Sequence, residues 1–142
     1  MAKKQNEIRV IDANLNRCRE GLRVIEDFLR YVLNDGAIYK KVRAIRHNTD
    51  KILRAKYTQL ISVRDSVADS GRKIPEKSGK KLAGIIVANF KRAQESLRVL
   101  EEYSKIVFPA AAKGFKKQRY AVYNLEKSVY LKYKKIFKEE TK

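Results

Sequence analysis

Asparagine, arginine and glutamate residues recur in the same order twice in this chain, 75 positions apart. Residues 11–33 (IDANLNRCREGLRVIEDFLRYVL) align with residues 86–108 (IVANFKRAQESLRVLEEYSKIVF), with ten identities in 23 positions. A helix that merely packs on a core needs only its apolar stripe preserved, so the retained polar residues are the informative ones. These are Asn14 and Asn89, Arg17 and Arg92, Glu20 and Glu95, Arg23 and Arg98, and Glu26 and Glu101.

The repeated residue types suit the binding of a phosphorylated ligand. An arginine guanidinium offers a rigid fork of donors to phosphate oxygens, and an asparagine amide can hydrogen-bond the edge of a heterocyclic ring. A glutamate one helical turn from an arginine can orient it or serve as a base. We therefore predict Arg17 and Arg92 as catalytic cations. The predicted substrate-binding residues are Asn14, Asn89, Glu20, Glu95 and two aligned arginines of later segments, Arg43 and Arg119.

A polar segment between the two copies could supply a metal site. Residues 63–78 (VRDSVADSGRKIPEKS) interrupt the helical spacing with Gly71 and Pro75, and loops of this length are often functional. Two carboxylates four residues apart can hold Mg²⁺ against two phosphates, and phosphoryl transfer depends mainly on positioning and charge neutralisation. We predict Asp65 and Asp69 as metal ligands, and Arg64 and Asp65 as catalytic residues.

The same polar residues also admit a structural interpretation. Arg17 and Glu20 are spaced for an ion pair along a helix, and a buried asparagine can be satisfied by a neighbouring helix end. The sequence contains no G-x-x-x-x-G-K-[ST] loop, no G-x-G-x-x-G and no Cys/His set at metal spacing. His47, the single histidine, aligns with Tyr123 and is predicted to lie on the surface. A phosphate site and an ion-pair network both stay open on spacing alone.

Hydrophobic residues recur at helical spacing through most of the chain. The first predicted helix follows an N-cap at Asp12 or Asn14, ends at Leu33 and is closed by Gly36 in a left-handed conformation. The second spans residues 37–62. Because the connection between them is short, we expect an antiparallel hairpin.

The remaining segments repeat this arrangement. A third predicted helix is capped by Ser78, contains the second copy of the motif and ends before Pro109, and a fourth extends to about Lys138. No alternating strand pattern appears. We predict a single all-α domain over residues 1–142, a helical bundle of two duplicated antiparallel hairpins with pseudo-twofold symmetry, with repeats at about 11–62 and 86–138 joined by loop 63–78.

The charge balance predicts an anionic partner. The chain has 34 Lys and Arg against 16 Asp and Glu, which gives a net charge of +18. A nucleic-acid-binding module is one alternative, because tyrosines interleave with lysines near the C-terminus. Nucleic acid is the less favoured partner, since no known reading-helix motif accompanies these residues. The tyrosines are Tyr120, Tyr123, Tyr130 and Tyr133.

The cellular compartment follows from cysteine usage and from the N-terminal residues. Cys18, the single cysteine, cannot form an intramolecular disulfide. The N-terminal residues lack the apolar run of a signal peptide, and no segment has the length and apolarity of a membrane span. We expect a cytoplasmic protein with no membrane association.

Three motifs taken together resemble one known family. They are IDANLNRCREGLRVIED, RDSVADSG and ANFKRAQESLRVLEEY, and the match covers about residues 9–127 in the family's order. The family is the helical domain found fused to the N-terminus of some bacterial thiamine-phosphate synthases and also found alone. One departure is Ser70, where the family usually has valine, and it leaves Asp65 and Asp69 intact.

The resemblance implies a role in thiamine biosynthesis. The family is assigned as an alternative hydroxymethylpyrimidine-phosphate kinase, which implies ATP and Mg²⁺ as cofactors and a phosphorylated pyrimidine as substrate. The synthase's barrel domain has no counterpart here, so we do not expect this chain to join the pyrimidine and thiazole halves itself. The main alternative is a non-catalytic partner that holds the pyrimidine for a separate thiamine-phosphate synthase. A homo-oligomer is left open.

Overall fold

The computed structural model describes residues 2–75 and 81–140, and every regular element within them is helical. The prediction of an all-α fold is confirmed. None of the helices in these two ranges is long and apolar enough to cross a membrane. The long helices are α1 (Ala2–Asp27), α2 (Gly36–Ile52), α4 (Leu82–Val107) and α5 (Ala112–Lys132), and the shorter elements are a π-helical turn (Phe28–Val32), a 3₁₀ turn (Arg54–Lys56), α3 (Tyr57–Ser62), a 3₁₀ turn (Pro109–Ala111) and α6 (Lys134–Glu140).

The start of the first helix differs from the prediction. Because α1 begins at Ala2, Asp12 and Asn14 lie inside the helix, where both are buried, and neither caps it. At the other end, Asn34 takes the left-handed conformation that was predicted for Gly36, with φ at 49°. Gly36 instead opens α2, which is capped by Asp35.

Two segments predicted as single helices are interrupted. The helix predicted over 37–62 breaks after Ile52, and the turn that follows lets α3 bring Leu60 into the core. The fourth predicted helix breaks at Tyr133, before α6. α4 ends before Pro109 as predicted, whereas the predicted cap Ser78 lies outside the described residues.

The centre of the core is the contact between α1 and α4. A β-carbon added to Gly21 would lie 3.2 Å from the carbonyl oxygen of Asn89, so the two backbones approach closely there. Gly21 faces Asn89 while Cys18 hydrogen-bonds Ser96, which makes the helices antiparallel. Burial raises the pKa of the Cys18 thiol to about 12. The fully buried side chains around this contact include Ile11, Leu22, Ile25, Ile86, Leu97 and Leu100.

Among the described residues, a largely buried ion pair joins the two long helices of each half of the chain. In the first half, Arg46 of α2 donates from Nε to Glu26 Oε2 at 2.6 Å and from Nη2 to Oε1 at 3.1 Å. In the second, Arg119 of α5 donates to Glu101 Oε1 from Nη2 at 3.0 Å and from Nε at 3.3 Å. The repeated glutamates therefore join α1 to α2 and α4 to α5.

The surroundings of Arg43 and Arg119, two arginines predicted to bind substrate, differ from each other. Arg119, predicted to bind substrate, is buried and engaged by Glu101, while Arg43 is exposed on α2. By contact, the residue corresponding to Arg119 is Arg46 rather than Arg43. Burial disfavours the charge on Glu26, but the hydrogen bonds and positive charge of Arg46 outweigh it and hold the pKa of Glu26 below its usual value. The pseudo-twofold relation of the two hairpins stays a prediction.

Asp35 links the turn between α1 and α2 to the end of α5. Its Oδ1 accepts a hydrogen bond from the Ile38 backbone N–H at 3.1 Å. Its Oδ2 accepts from Lys132 Nζ and from the Tyr133 hydroxyl, each at 2.6 Å. Asp35 itself is buried. The hydrogen bonds from Lys132 and Tyr133, followed by that from Ile38, hold the pKa of Asp35 well below its usual range.

Because the pKa of Asp35 is depressed in the folded state, part of the free energy of unfolding is lost at low pH. A carboxyl whose folded pKa lies below its unfolded value of about 3.9 stabilises the fold above that value, and the contribution is lost as pH falls. We expect Asp35→Asn, which preserves the helix cap, to lower the free energy of unfolding at pH 7 and to lose much of that deficit as the pH falls from about 4 toward 2. Urea unfolding of both proteins at a series of pH values measures this difference. A deficit of constant size from pH 7 to pH 2 would contradict the assignment.

Candidate functional site

A polar cleft of about 680 Å³ lies between α1 and residues 64–70 of the segment that follows α3. The inner wall is one face of α1, and the outer wall is irregular chain. The cleft brings together six of the residues predicted from the sequence. They are Asn14, Arg17, Glu20, Arg64, Asp65 and Asp69.

The α1 wall presents an arginine next to a buried amide. Asn14 donates from Nδ2 to the Val10 carbonyl oxygen at 2.9 Å, which satisfies its amide group within the helix. Arg17 is exposed, and its Nη1 lies 3.5 Å from Asn14 Oδ1, at the outer limit for a hydrogen bond. Among the ion pairs of the described residues, none joins Arg17 to Glu20. The Arg17 guanidinium is therefore available to an anion in the cleft.

The outer wall is attached to α1 through two arginines. Arg64 donates from Nε to Asp12 Oδ2 at 2.7 Å and from Nη2 to Asp12 Oδ1 at 2.8 Å. Arg9 donates from Nη2 to the Asp65 carbonyl oxygen at 2.9 Å. The bidentate hydrogen bond to Asp12 raises the pKa of Arg64 above its usual value. Arg64 is thus placed by a carboxylate on α1, not by the segment to which it belongs.

The two acids predicted as metal ligands form turns within the outer wall. Asp65 Oδ1 accepts from the Ala68 backbone N–H at 2.9 Å, and Asp69 Oδ1 accepts from the Gly71 N–H at 3.0 Å. Both residues are exposed and line the same cleft. Within residues 2–75 and 81–140, no group of three or more His, Cys, Asp or Glu side chains could hold a metal ion. Two carboxylates fit Mg²⁺ that arrives with phosphates and keeps several waters, but not a dedicated protein-only site.

The second Asn/Arg/Glu set lies elsewhere, on α4. Asn89 donates from Nδ2 to the Ile85 carbonyl oxygen at 2.8 Å and sits where Gly21 approaches α4. Arg92 and Glu95 are exposed, and Glu95 lines a separate depression of about 310 Å³ with Lys91, Gln94, Arg98 and Tyr123. The two Asn/Arg/Glu sets therefore do not share one pocket. Any ligand-binding role for Asn89, Arg92 and Glu95 stays a prediction.

Asp12 and Arg9 line the cleft but were not predicted as site residues. A signal for Asp12 was present, since it lies four residues after Ile8 and next to Ile11, both of which are buried. A carboxylate on the core-facing side of a helix requires a partner, and in the first half of the chain Arg64 provides it. Arg9 gave no such signal, because its partner is a backbone carbonyl.

Three of the four tyrosines that suggested a nucleic-acid partner contact charged residues within the fold. The Arg119 guanidinium carbon lies 5.0 Å from the centre of the Tyr120 ring and 5.9 Å from that of Tyr123. The Tyr133 hydroxyl donates to Asp35. Tyr120, Tyr123 and Tyr130 are nevertheless 52%, 42% and 40% exposed, so burial in the core does not account for their spacing with lysines.

Comparison with known proteins gives one family. The chain matches the model of the ThiD2 family over residues 9–128. Relatives include proteins named thiamine-phosphate synthase from Nostoc punctiforme, 38% identical over 124 residues, and from Gloeobacter violaceus, 37% identical over 129 residues. A protein of the same name from Rhodopirellula baltica is 35% identical over 129 residues.

The lengths of these proteins differ from that of this chain. The three alignments cover 85%, 89% and 86% of this chain but only 34%, 37% and 34% of the respective relatives. The chain thus spans about a third of the length of the curated relatives it matches. No significant match was found among solved structures.

Proposed function

The chain belongs to the ThiD2 family, and on that premise we propose that it acts in thiamine biosynthesis as a kinase. The proposed reaction transfers the γ-phosphoryl group of ATP to the phosphate of 4-amino-5-hydroxymethyl-2-methylpyrimidine phosphate. The products are ADP and the pyrimidine diphosphate. The observation that carries this proposal is the cleft, which combines Arg17, free of any carboxylate, with Arg64, the amide residue Asn14 and the carboxylates of Asp65 and Asp69.

This set of groups suits phosphoryl transfer onto a phosphate. The accepting oxygen belongs to a phosphate whose second pKa is about 6, so it is already ionised at neutral pH and needs no strong base. The protein must instead bring two anionic groups together and neutralise their charge. Arg17 would supply positive charge, and Arg64 would donate from the guanidinium N–H groups that Asp12 does not engage. Asp65 and Asp69 would hold Mg²⁺, which when bound would shield the phosphate oxygens from each other.

A direct assay tests the proposal. Purified protein incubated with the pyrimidine monophosphate, ATP and Mg²⁺ should release ADP and form a diphosphate that ³¹P NMR identifies. A conventional hydroxymethylpyrimidine-phosphate kinase run in parallel controls for substrate quality. Absence of turnover while that enzyme is active would contradict the kinase function.

A second candidate is a non-catalytic subunit that holds the pyrimidine for a thiamine-phosphate synthase. It is favoured by the names of the relatives, of which this chain spans only about a third. A separate thiamine-phosphate synthase should then bind this chain in a pull-down and give a lower KM for the pyrimidine in its presence. A kinase that acts alone would give the assay result above and no such change in the synthase.

The two loop carboxylates should matter for metal use and not for folding. Asp65→Asn and Asp69→Asn keep an oxygen that can accept from Ala68 and Gly71, but they remove the charge that attracts Mg²⁺. We expect each to raise the Mg²⁺ concentration for half-maximal turnover by roughly tenfold or more, with an unchanged melting temperature. Asp27→Asn, at an exposed residue at the end of α1, is the control and should alter neither quantity. Unchanged Mg²⁺ dependence in both loop variants would remove the metal assignment.

A further inference from the structure

The wall of the cleft that carries Arg64 depends on one buried carboxylate of α1. Asp12 is only 5% exposed, yet it is charged and lies in the interior of a helix. Both of its oxygens accept hydrogen bonds from Arg64, at 2.7 and 2.8 Å, across 52 positions of sequence. If Arg64 moved away, the carboxylate would lose its counter-ion and both of these hydrogen bonds, which is unfavourable. The two residues are therefore coupled.

The segment that carries Arg64 has little other attachment to α1. Residues 64–74 are held mainly by hydrogen bonds among themselves, including Arg72 N–H to the Asp69 carbonyl at 3.1 Å and Ile74 N–H to the Gly71 carbonyl at 3.2 Å. Its side-chain hydrogen bonds to α1 are the Asp12–Arg64 pair and the Arg9 contact with the Asp65 carbonyl. The whole segment is exposed. Its position over the cleft is thus set from α1.

The second copy of the motif differs at this point. Asn14, Arg17 and Glu20 are matched by Asn89, Arg92 and Glu95, but the residue that corresponds to Asp12 is Val87. Val87 cannot bind a guanidinium, and it lines a mostly apolar cleft with Phe90, Tyr130 and Phe137. The carboxylate at position 12 is thus one feature that distinguishes the cleft-forming set from its counterpart.

We infer that Asp12 is a positioning residue that holds Arg64, and with it Asp65 and Asp69, over the phosphate-binding cleft. It acts through Arg64 and does not contact the reacting atoms. This inference rests on the proposed function for its consequence in catalysis, but its structural part is measurable without any substrate. The chemical class served by the site is a phosphorylated small molecule with its metal, as proposed above.

The first test is trypsin cleavage in the segment after Arg64, at Arg72 and Lys73, followed by mass spectrometry. Asp12→Asn should increase the cleavage rate there by about tenfold or more, because opening of the segment no longer breaks a charged bidentate contact. Asp12→Glu, which retains the carboxylate, should restore slow cleavage. Glu102→Gln breaks exposed ion pairs with Arg98 and Lys105 outside the cleft and should match wild type.

The second test is a double-mutant cycle on kcat/KM. Asp12→Asn should reduce kcat/KM by roughly ten- to a hundredfold, and the double variant Asp12→Asn/Arg64→Ala should be no worse than Arg64→Ala alone. If circular dichroism shows that Asp12→Asn disturbs α1, the cleavage rate of Arg64→Ala is used instead. That variant removes the same contact from the exposed side.

The outcomes separate the inference from the proposed function. If wild type shows no turnover while Asp12→Asn still accelerates cleavage at Arg72 and Lys73, the kinase function fails and the positioning role stands. If Asp12→Asn and Arg64→Ala both match Glu102→Gln in cleavage rate, the positioning role is overturned. Additive losses in the double variant would also overturn it, because Asp12 would then act independently of Arg64.

Discussion

Arg17→Ala is expected to lower kcat/KM for diphosphate formation by a factor of roughly 30 to 900, or about 2–4 kcal/mol of transition-state stabilisation. Arg17 lines the cleft, is exposed, and makes its single long contact with the amide oxygen of Asn14 at 3.5 Å. Its charge is therefore not neutralised within the fold and can act on transferring phosphate oxygens. Because the side chain lies outside the core, the melting temperature should change little.

The repeat in the sequence provides a closely matched control for this variant. Arg92 occupies the same place in the second copy of the motif and is likewise exposed, but it lies outside the cleft. Arg92→Ala should leave kcat/KM nearly unchanged, although the sequence alone predicted equal importance for the two arginines. Steady-state kinetics of the two variants in parallel measures the contrast. Equal losses in both, or full activity in Arg17→Ala, would exclude the cleft as the reaction site.

Glu26→Ala is expected to reduce the free energy of unfolding by about 3–5 kcal/mol, the typical cost of removing one partner of a buried ion pair. Glu26 is 1% exposed and receives two hydrogen bonds from Arg46 and one from Arg23. The variant would leave the largely buried Arg46 guanidinium without its bidentate counter-ion. Urea unfolding measures the loss, with the slope m as a check on two-state behaviour.

Two further variants define the origin of that loss. Removal of both partners in Glu26→Ala/Arg46→Ala should cost less than the sum of the single losses, since neither charge is then left alone. Glu102→Ala, at an exposed glutamate paired with Lys105, should have little effect on unfolding. If Glu26→Ala were as mild as Glu102→Ala, the buried pair would not be what joins α1 to α2.

The helical architecture could be predicted because the residues within each helix are sufficient to indicate it. Apolar residues at helical spacing define α1, α2, α4 and α5, and Pro109 marks the end of α4. The start of α1 could not, because Asp12 has the residue type of an N-cap and its true partner, Arg64, lies 52 positions away. A local capping rule cannot detect a partner so distant in sequence.

A second feature that could not be predicted is which arginine in the first half of the chain corresponds to Arg119. Sequence alignment pairs Arg119 with Arg43, but the contact partner of Glu26 is Arg46, 20 positions later, whereas Arg119 follows Glu101 by 18. The connection in the second half is shorter by two residues, so one continuous alignment cannot match both helices of each hairpin. Identity of residue type alone could not separate a structural arginine from a ligand-binding one.

The residues that line the cleft could be predicted from the sequence, but the separation of the two Asn/Arg/Glu sets could not. Residue types identified Asn14, Arg17, Glu20, Arg64, Asp65 and Asp69, which the fold does bring together. The antiparallel arrangement of α1 and α4 then places Asn89 near Gly21, and so away from Asn14 along the helix. Sequence repetition shows that two sets exist, whereas only the folded structure shows that they line different surfaces.

The burial of Cys18 makes its thiol a probe of the contact between α1 and α4. With a pKa of about 12, the thiol has only about one ten-thousandth of its population as reactive thiolate at pH 8. It also has no exposed surface through which an alkylating reagent could approach. Labelling of Cys18 by iodoacetamide therefore requires α1 and α4 to separate, and the labelling rate reports how often they do so. The chain thus contains its own probe of rare opening events in the native state, with no engineered label required.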